Sequence, residues 1–242
     1  MWTRTSRFFI DQNLAVNQGL SLPEQTSHHI INVLRLGKGT AITLFNGQGG
    51  EYLAEITNTE RRQVAVHIQD HEPVERESPL TTELGLAIIK RDAMDLAIRK
   101  CTELGVTRIV PLLTDFTTVA HKQADKRFPH WLEIIHSACE QCGRNKPPEL
   151  QGITSLATWA DACHSPLRLV ADPGATTTLP SLESTPDAVT VLTGAEGGLS
   201  EQELELVKSK EFKPVSMGQR VLRADTAPLI MMALIQHKWG DL

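Results

Sequence analysis

Thr193-Gly194-Ala195-Glu196-Gly197-Gly198-Leu199-Ser200 and Met217-Gly218-Gln219-Arg220-Val221-Leu222-Arg223-Ala224-Asp225-Thr226-Ala227 decide how this chain is read. The first stretch follows residues 188–192, an apolar run that reads as a buried strand. Three glycines then surround one glutamate, leaving a loop with almost no Cβ cover where a ligand can reach backbone. Ser200 and Glu203 have the spacing of a capping box and predict a helix immediately afterwards. The second stretch repeats the logic with a short strand, a glycine and a helix start. Two glycine loops at the ends of buried strands predict one cofactor site at the top of a sheet. Neither loop is GxGxxG, and GxxxxGK followed by Ser or Thr occurs nowhere, so the dinucleotide and P-loop fingerprints are missing.

Working outward, residues 84–89 form an apolar run fit for a strand buried on both faces. Met94, Ile98, Cys101 and Leu104 fall at helical spacing over 92–104, and Gly105 stands at the stop. Residues 108–113 read as the next strand and 131–142 as a helix closed by Gly143, with further strands at 167–171, 188–192 and 214–217. This alternation predicts an α/β fold with a parallel sheet. The last helix, 227–237, is apolar nearly all round. It must be buried on more than one side, by a subunit interface or by the monomer core.

The N-terminal part has a different rhythm. Residues 8–10 read as a short strand and 28–36 as a short helix that turns Ile30, Ile31, Val33 and Leu34 inward. Ile42 and Leu44 alternate, Asn46-Gly47 is a hairpin signal, and Tyr52, Ala54 and Ile56 share a face, as do Val64, Val66 and Ile68. Short strands with turn signals predict a small barrel over 1–72. Residues 73–82, with Pro73 and Pro79 flanking Glu75, Arg76 and Glu77, read as a linker to a second domain at 83–242.

Composition sets outer limits. A chain of 242 residues makes one or two domains with a sizeable core. Apolar content of 40% and charged content of 22% are those of a soluble protein. No apolar run approaches a bilayer span, and residues 1–4 lack the apolar region of a signal peptide, so cytoplasm is the default expectation. Cys101, Cys139, Cys142 and Cys163 suit a reducing compartment without a disulfide framework.

The two glycine segments resemble those of the SPOUT-type methyltransferases, and specifically the RsmE-type 16S rRNA (uracil-N3) methyltransferases. Their pattern is Gly-Pro-Glu-Gly-Gly, then Phe or Leu, then Ser or Thr, followed later by LG-x-RILR-x-ETA. This chain has Ala195 for the proline, Met217 for the leucine and Asp225 for the last glutamate, which keeps the charge and shortens its reach. The resemblance extends to residues 28–36, 90–111 and 140–144. It implies a PUA-like RNA-binding barrel followed by a SPOUT domain with a C-terminal trefoil knot, and a homodimer with its active site near the dimer interface. It also implies S-adenosyl-L-methionine as cofactor, no metal, and a uridine of 16S rRNA in the small ribosomal subunit as substrate. Carried over by position, Leu192, Thr193, Gly194, Gly197 and Gly198 would line one side of the cofactor, and Met217, Gly218, Val221 and Leu222 the other. Arg223, Glu196 and Asp225 become candidate catalytic residues.

Each candidate has a plainer reading. Arg220 and Arg223 fit either a charged surface edge or an internal ion pair with Asp225 on one reading, and stabilisation of an anionic uracil or a phosphate contact on the other. Glu196 fits either capping of its own loop or proton acceptance. Cys139-x-x-Cys142 at a helix end lacks the second pair that zinc needs and the helix N-terminus that a redox motif uses. His28-His29 reads as barrel surface, because adjacent residues rarely face one metal. The net charge of −5 means that RNA contacts must be local. The candidates are Arg4, Arg7, Arg35, Lys38, Lys90, Lys100, Arg144 and Arg220. Two other readings stay open: a SPOUT enzyme acting on another rRNA or tRNA nucleotide, and a catalytically silent RNA-binding assembly factor.

Overall fold

The computed structural model describes residues 5–119 and 121–242, without the side chains of Arg61 and His121. Arg4 therefore lies outside the described residues. The chain divides into two compact units, 1–77 with 136–147, and 78–135 with 148–242.

The first unit holds strands β1 (Arg7–Phe9) and β2 (Gly19–Ser21), helix α1 (Glu24–His28), and strands β3 (Ala41–Phe45), β4 (Glu51–Asn58) and β5 (Ala65–Glu72). Its five-stranded sheet runs β1-β3-β4-β5-β2. The alternation seen in the sequence fixes the register: Ala54 sits opposite Ile68 and Ile56 opposite Val66, all fully or almost fully buried. Phe8, Ile10, Leu22, Ile30, Ile42 and Leu44 complete this core. Burying each large aliphatic side chain contributes about 1.5–3 kcal/mol.

The helix expected at 28–36 is not regular. Helix α1 ends at His28, and His29–Val33 forms a π-type turn closed by Leu34 N–H to His29 carbonyl at 3.0 Å. The wider turn resets the helical face. Ile30 stays in the core, while Val33 and Leu34, expected inside, are 59% and 38% exposed.

Residues 136–147 belong to this first unit, although periodicity alone assigned them to the second domain. The reason is polar. Arg7 pairs with Glu51 and donates to Asn145 Oδ1 at 2.6 Å, and Arg76 pairs with Glu51 at 3.0 Å and donates to the Gly143 carbonyl at 3.1 Å. Arg144 pairs with Glu77, and Phe9 N–H donates to Glu140 Oε1 at 3.0 Å. Such partners are invisible to a hydrophobicity pattern.

The second unit contains β6 (Thr81–Ala87), α2 (Arg91–Glu103), β7 (Arg108–Leu113), α3 (His121–Asp125) and the first part of α4 (Phe128–Cys142). It continues with β8 (Glu149–Leu150), β9 (Thr154–Ser155), α5 (Leu156–Ala162), β10 (Leu167–Ala171), β11 (Ala188–Thr193), α6 (Glu201–Ser209), β12 (Lys213–Val215) and α7 (Thr226–Trp239). Strand β6 begins at Thr81, inside the stretch read as linker, because Leu80 and Thr82 are already buried. The sheet order is β12-β10-β11-β6-β7-β8, with β9 also on β7, and every pairing is parallel. Both sheet faces are covered, as a parallel sheet requires. Leu84, Leu86, Leu169 and Val191 pack in one core with α2 and α7 residues Met94, Ile98, Met231 and Ile235. Val110, Leu112, Val170 and Leu192 pack in another with Trp159 of α5 and Val207 of α6. Gln236 of the apolar helix α7 is also buried; its Oε1 accepts from Ser78 Oγ at 2.7 Å and its Nε2 donates to the Gly105 carbonyl at 3.3 Å.

Candidate functional site

Strands β12, β10 and β11 are neighbours, and their C-terminal ends feed the loops that enclose a cavity of about 660 Å³. Ligands in α/β sheets collect at this end of the strands. Ala171 ends β10 and Asp172 and Pro173 follow it, residues 194–199 follow β11, and the segment from Met217 to Ala227 follows β12; all three contribute walls. The two segments singled out in the sequence thus face one another across a single space.

The loop after β11 is closed by Gly198 N–H to the Ala195 carbonyl at 2.9 Å. A Cβ on Gly194 would lie 2.7 Å from the Gly198 carbonyl carbon and 2.8 Å from its oxygen, so only glycine fits there. Gly198 and Gly218 have φ of +79° and +110°, and a Cβ on either would meet nothing within 4 Å. Both present bare backbone to open space.

The capping box forms. Ser200 Oγ accepts from Glu203 N–H at 3.2 Å, and Glu203 Oε2 accepts from Ser200 N–H at 2.9 Å. Glu203 Oε1 also accepts from Asp115 N–H at 2.8 Å, which ties the loop after β7 to the same helix start.

The charged candidates separate by environment. Glu196 is exposed at the cavity wall, and its Oε1 accepts the backbone N–H of Lys90, the N-cap residue of α2, at 2.9 Å. Its anchoring role is thus directed at a neighbouring helix rather than at its own loop. Asp225 is half-buried and accepts a hydrogen bond from Thr226 Oγ1 at 3.1 Å. Arg220 and Arg223 are exposed and line the cavity, and among the described residues neither forms an ion pair, with Asp225 or any other carboxylate. Lys90, expected as an RNA contact, lines the same cavity.

Other expected positions fall elsewhere. Gly194, Gly197, Gly198, Met217, Gly218, Val221 and Leu222 line the cavity, whereas Leu192 and Thr193 are fully buried in β11 behind it. Arg7 and Arg144 are turned inward by their ion pairs and are not available to a phosphate. Lys100 pairs with Glu103 one helical turn away. Arg35 and Lys38 are exposed on the first unit. Burial pushes the Glu140 carboxyl up, and the Phe9 N–H and nearby Arg7 only partly oppose it. Cys139 is buried, and among the described residues no group of three His, Cys, Asp or Glu is placed to hold a metal.

Ala171, Asp172 and Pro173 were missed, although they line the cavity. The signal was present: an Asp-Pro-Gly turn follows the buried strand 167–171, at the sheet end where ligands bind.

A chain that combines a parallel α/β unit with a glycine-built cavity and a small β unit defines a class, and comparison with known proteins names it. The profile of a family described as an RNA methyltransferase domain matches residues 76–236, and one described as an RNA methyltransferase PUA domain matches residues 22–69. Ribosomal RNA small subunit methyltransferase E of Buchnera aphidicola (Schizaphis graminum) is 33% identical over 245 aligned positions, spanning 100% of both chains. The crystal structure of ribosomal RNA small subunit methyltransferase E from Neisseria gonorrhoeae bound to S-adenosyl methionine superimposes with a TM-score of 0.92 at 35% identity, over 99% of this chain and 100% of that one. A Legionella pneumophila protein in complex with the bound cofactor SAM gives 0.96 at 36%, over 99% and 100%. The chain belongs to the ribosomal RNA small subunit methyltransferase E family.

Proposed function

We propose that this protein transfers a methyl group from S-adenosylmethionine to N3 of one uridine of 16S rRNA, acting on the small ribosomal subunit in the cytoplasm. The observation that carries this reading is the cavity itself, where the two glycine segments expected to hold the cofactor meet. Its volume of about 660 Å³ suits a nucleoside-sized ligand. Bare backbone at Gly198 and Gly218 suits the polar edges of adenosine, and Met217, Val221 and Leu222 suit its flat apolar face. Bound S-adenosylmethionine supplies an electrophilic methyl group.

The chain's own residues prepare the nucleophile. Uracil N3 carries a proton and must lose it before it can attack. N3 lies on the Watson–Crick edge, so the uridine must be unpaired when bound. Arg223, cationic, exposed and without a carboxylate partner among the described residues, stabilises the resulting negative charge on the uracil oxygens. Of the two carboxylates, Asp225 is the better proton acceptor, because Glu196 is committed to the α2 N-terminus. Arg220 and Lys90 hold flanking phosphates. The barrel over 1–72 contributes RNA contacts through Arg35 and Lys38. A homodimer covers the exposed part of helix α7, where Ile230 is 38% exposed.

The test uses small subunits from cells lacking this activity, incubated with the protein and S-adenosylmethionine. Mass spectrometry of digested 16S rRNA should find one new 3-methyluridine near the decoding region. Methylation of another nucleotide would keep the enzyme and change its target. No methylation on any RNA, with no thermal stabilisation by the cofactor, would leave a silent RNA-binding factor.

A further inference from the structure

The loop after β7 carries an aromatic side chain that neither the cofactor cavity nor the hydrophobic cores account for. Thr117 N–H donates to the Thr114 carbonyl at 3.0 Å, and the two threonine hydroxyls lie 3.0 Å apart. Asp115 and Phe116 therefore occupy the corner of a closed turn. The turn is pinned twice to the start of α6. Asp115 N–H donates to Glu203 Oε1 at 2.8 Å, and Ser200 Oγ donates to Asp115 Oδ2 at 2.6 Å. Phe116 is nevertheless 45% exposed, and among the described residues it meets no other aromatic ring.

Its position relative to the cavity is set by Gly197. A Cβ on Gly197 would come within 3.0 Å of Phe116 Cγ and 3.1 Å of its Cδ2. The ring thus lies against the backbone of a residue that itself lines the cavity. A pinned turn holding a half-exposed aromatic ring at the lip of a cofactor cavity has a specific use. An unpaired base loses its stacking partners, and proteins replace them with aromatic side chains.

The geometry points to Phe116 as the stacking platform for the unpaired base that this site methylates. The inference rests on the proposed rRNA methyltransferase reading. It assigns to Phe116 a contact with substrate and none with the cofactor. Arg223 and Asp225 act on the charge and proton of the base, whereas Phe116 fixes the plane of the ring.

The experiment compares wild type with Phe116→Leu, Phe116→Ala and Phe116→Trp on small subunits. Calorimetric affinity for S-adenosylmethionine and mass in solution are measured for each. Phe116→Ala and Phe116→Leu should lower kcat/KM for the subunit about ten- to a hundredfold, with cofactor affinity and mass unchanged. Phe116→Trp should retain most activity, since it keeps the stacking face. The leucine variant separates stacking from simple apolar contact. Three results would overturn the idea: full activity in Phe116→Ala, loss of cofactor affinity alongside activity, or a change of oligomeric state. The second would make the ring a support for the Gly197 loop, and the third a subunit contact. If wild type itself methylates no RNA, the functional reading fails first, and that outcome is distinct from all three.

Discussion

Gly194→Ala is the substitution that tests the site most directly. The new Cβ would sit 2.7, 2.8 and 3.0 Å from the carbonyl carbon, oxygen and Cα of Gly198. Carbon atoms in contact prefer about 3.5–4.0 Å, so the overlap approaches 1 Å and involves backbone that cannot rotate away. The 2.9 Å bond from Gly198 N–H to the Ala195 carbonyl holds the two sides of the loop together. Relieving the clash stretches that bond past useful length. Its loss is worth about 1 kcal/mol and the residual crowding about 1–3 kcal/mol. A cofactor that reads this backbone should then bind at least about tenfold more weakly, which corresponds to about 1.4 kcal/mol. Calorimetry with S-adenosylmethionine measures the affinity, and urea unfolding separates it from global stability. Gly152→Ala is the control, because a Cβ there meets nothing within 4 Å and no positive φ is required. Cofactor affinity within twofold of wild type in Gly194→Ala would refute the assignment of this loop to the cofactor.

Other outcomes follow from the same structure. Arg223→Ala should abolish methyl transfer while leaving cofactor affinity and unfolding midpoint close to wild type, since the exposed side chain forms no ion pair among the described residues; near-normal turnover would remove its electrostatic role. Glu51→Gln should destabilise the protein at neutral pH by about 3 kcal/mol, because two arginines lose a buried counter-charge. Burial alone would raise the Glu51 carboxyl, but hydrogen bonds and charge from Arg76 and Arg7 outweigh it and hold the group below its ordinary value. Its contribution is therefore full above the ordinary carboxylate range and is lost as pH falls through the lowered folded value, so variant and wild type should converge in acid urea titrations. Burial pushes the thiols of Cys139 and Cys163 up to about 12 and that of Cys101 higher still. Native alkylation followed by peptide mapping should thus mark the partly exposed Cys142 first, and early labelling of Cys101 would show that the core opens.

The sequence by itself determined the class of fold and the identity of the two loops. Apolar runs at strand length alternating with helical spacing predict a parallel sheet covered on both faces, and the local spacing of Ser200 and Glu203 predicts a helix start. Gly194, Gly197, Gly198 and Gly218 were legible because glycine has few reasons to cluster beside buried strands. Tertiary structure decided what each charge does. Arg7 and Arg144 looked like candidate RNA contacts, yet Glu51 and Glu77 turn them inward from far along the chain. Glu196 was read as a proton acceptor or a cap of its own loop, and its carboxylate accepts the Lys90 N–H at the start of α2. Asp172 stood in a legible turn after a buried strand, but only the adjacency of β10 to β11 sets it beside the glycine loop, and Phe116 carries no motif and is set against Gly197 only by the pinned turn after β7. The division has a physical cause. Backbone periodicity and caps depend on neighbours within a few residues, so the sequence displays them. The partner of a charge depends on which distant segment the fold brings within about 4 Å, and only the folded chain makes that choice.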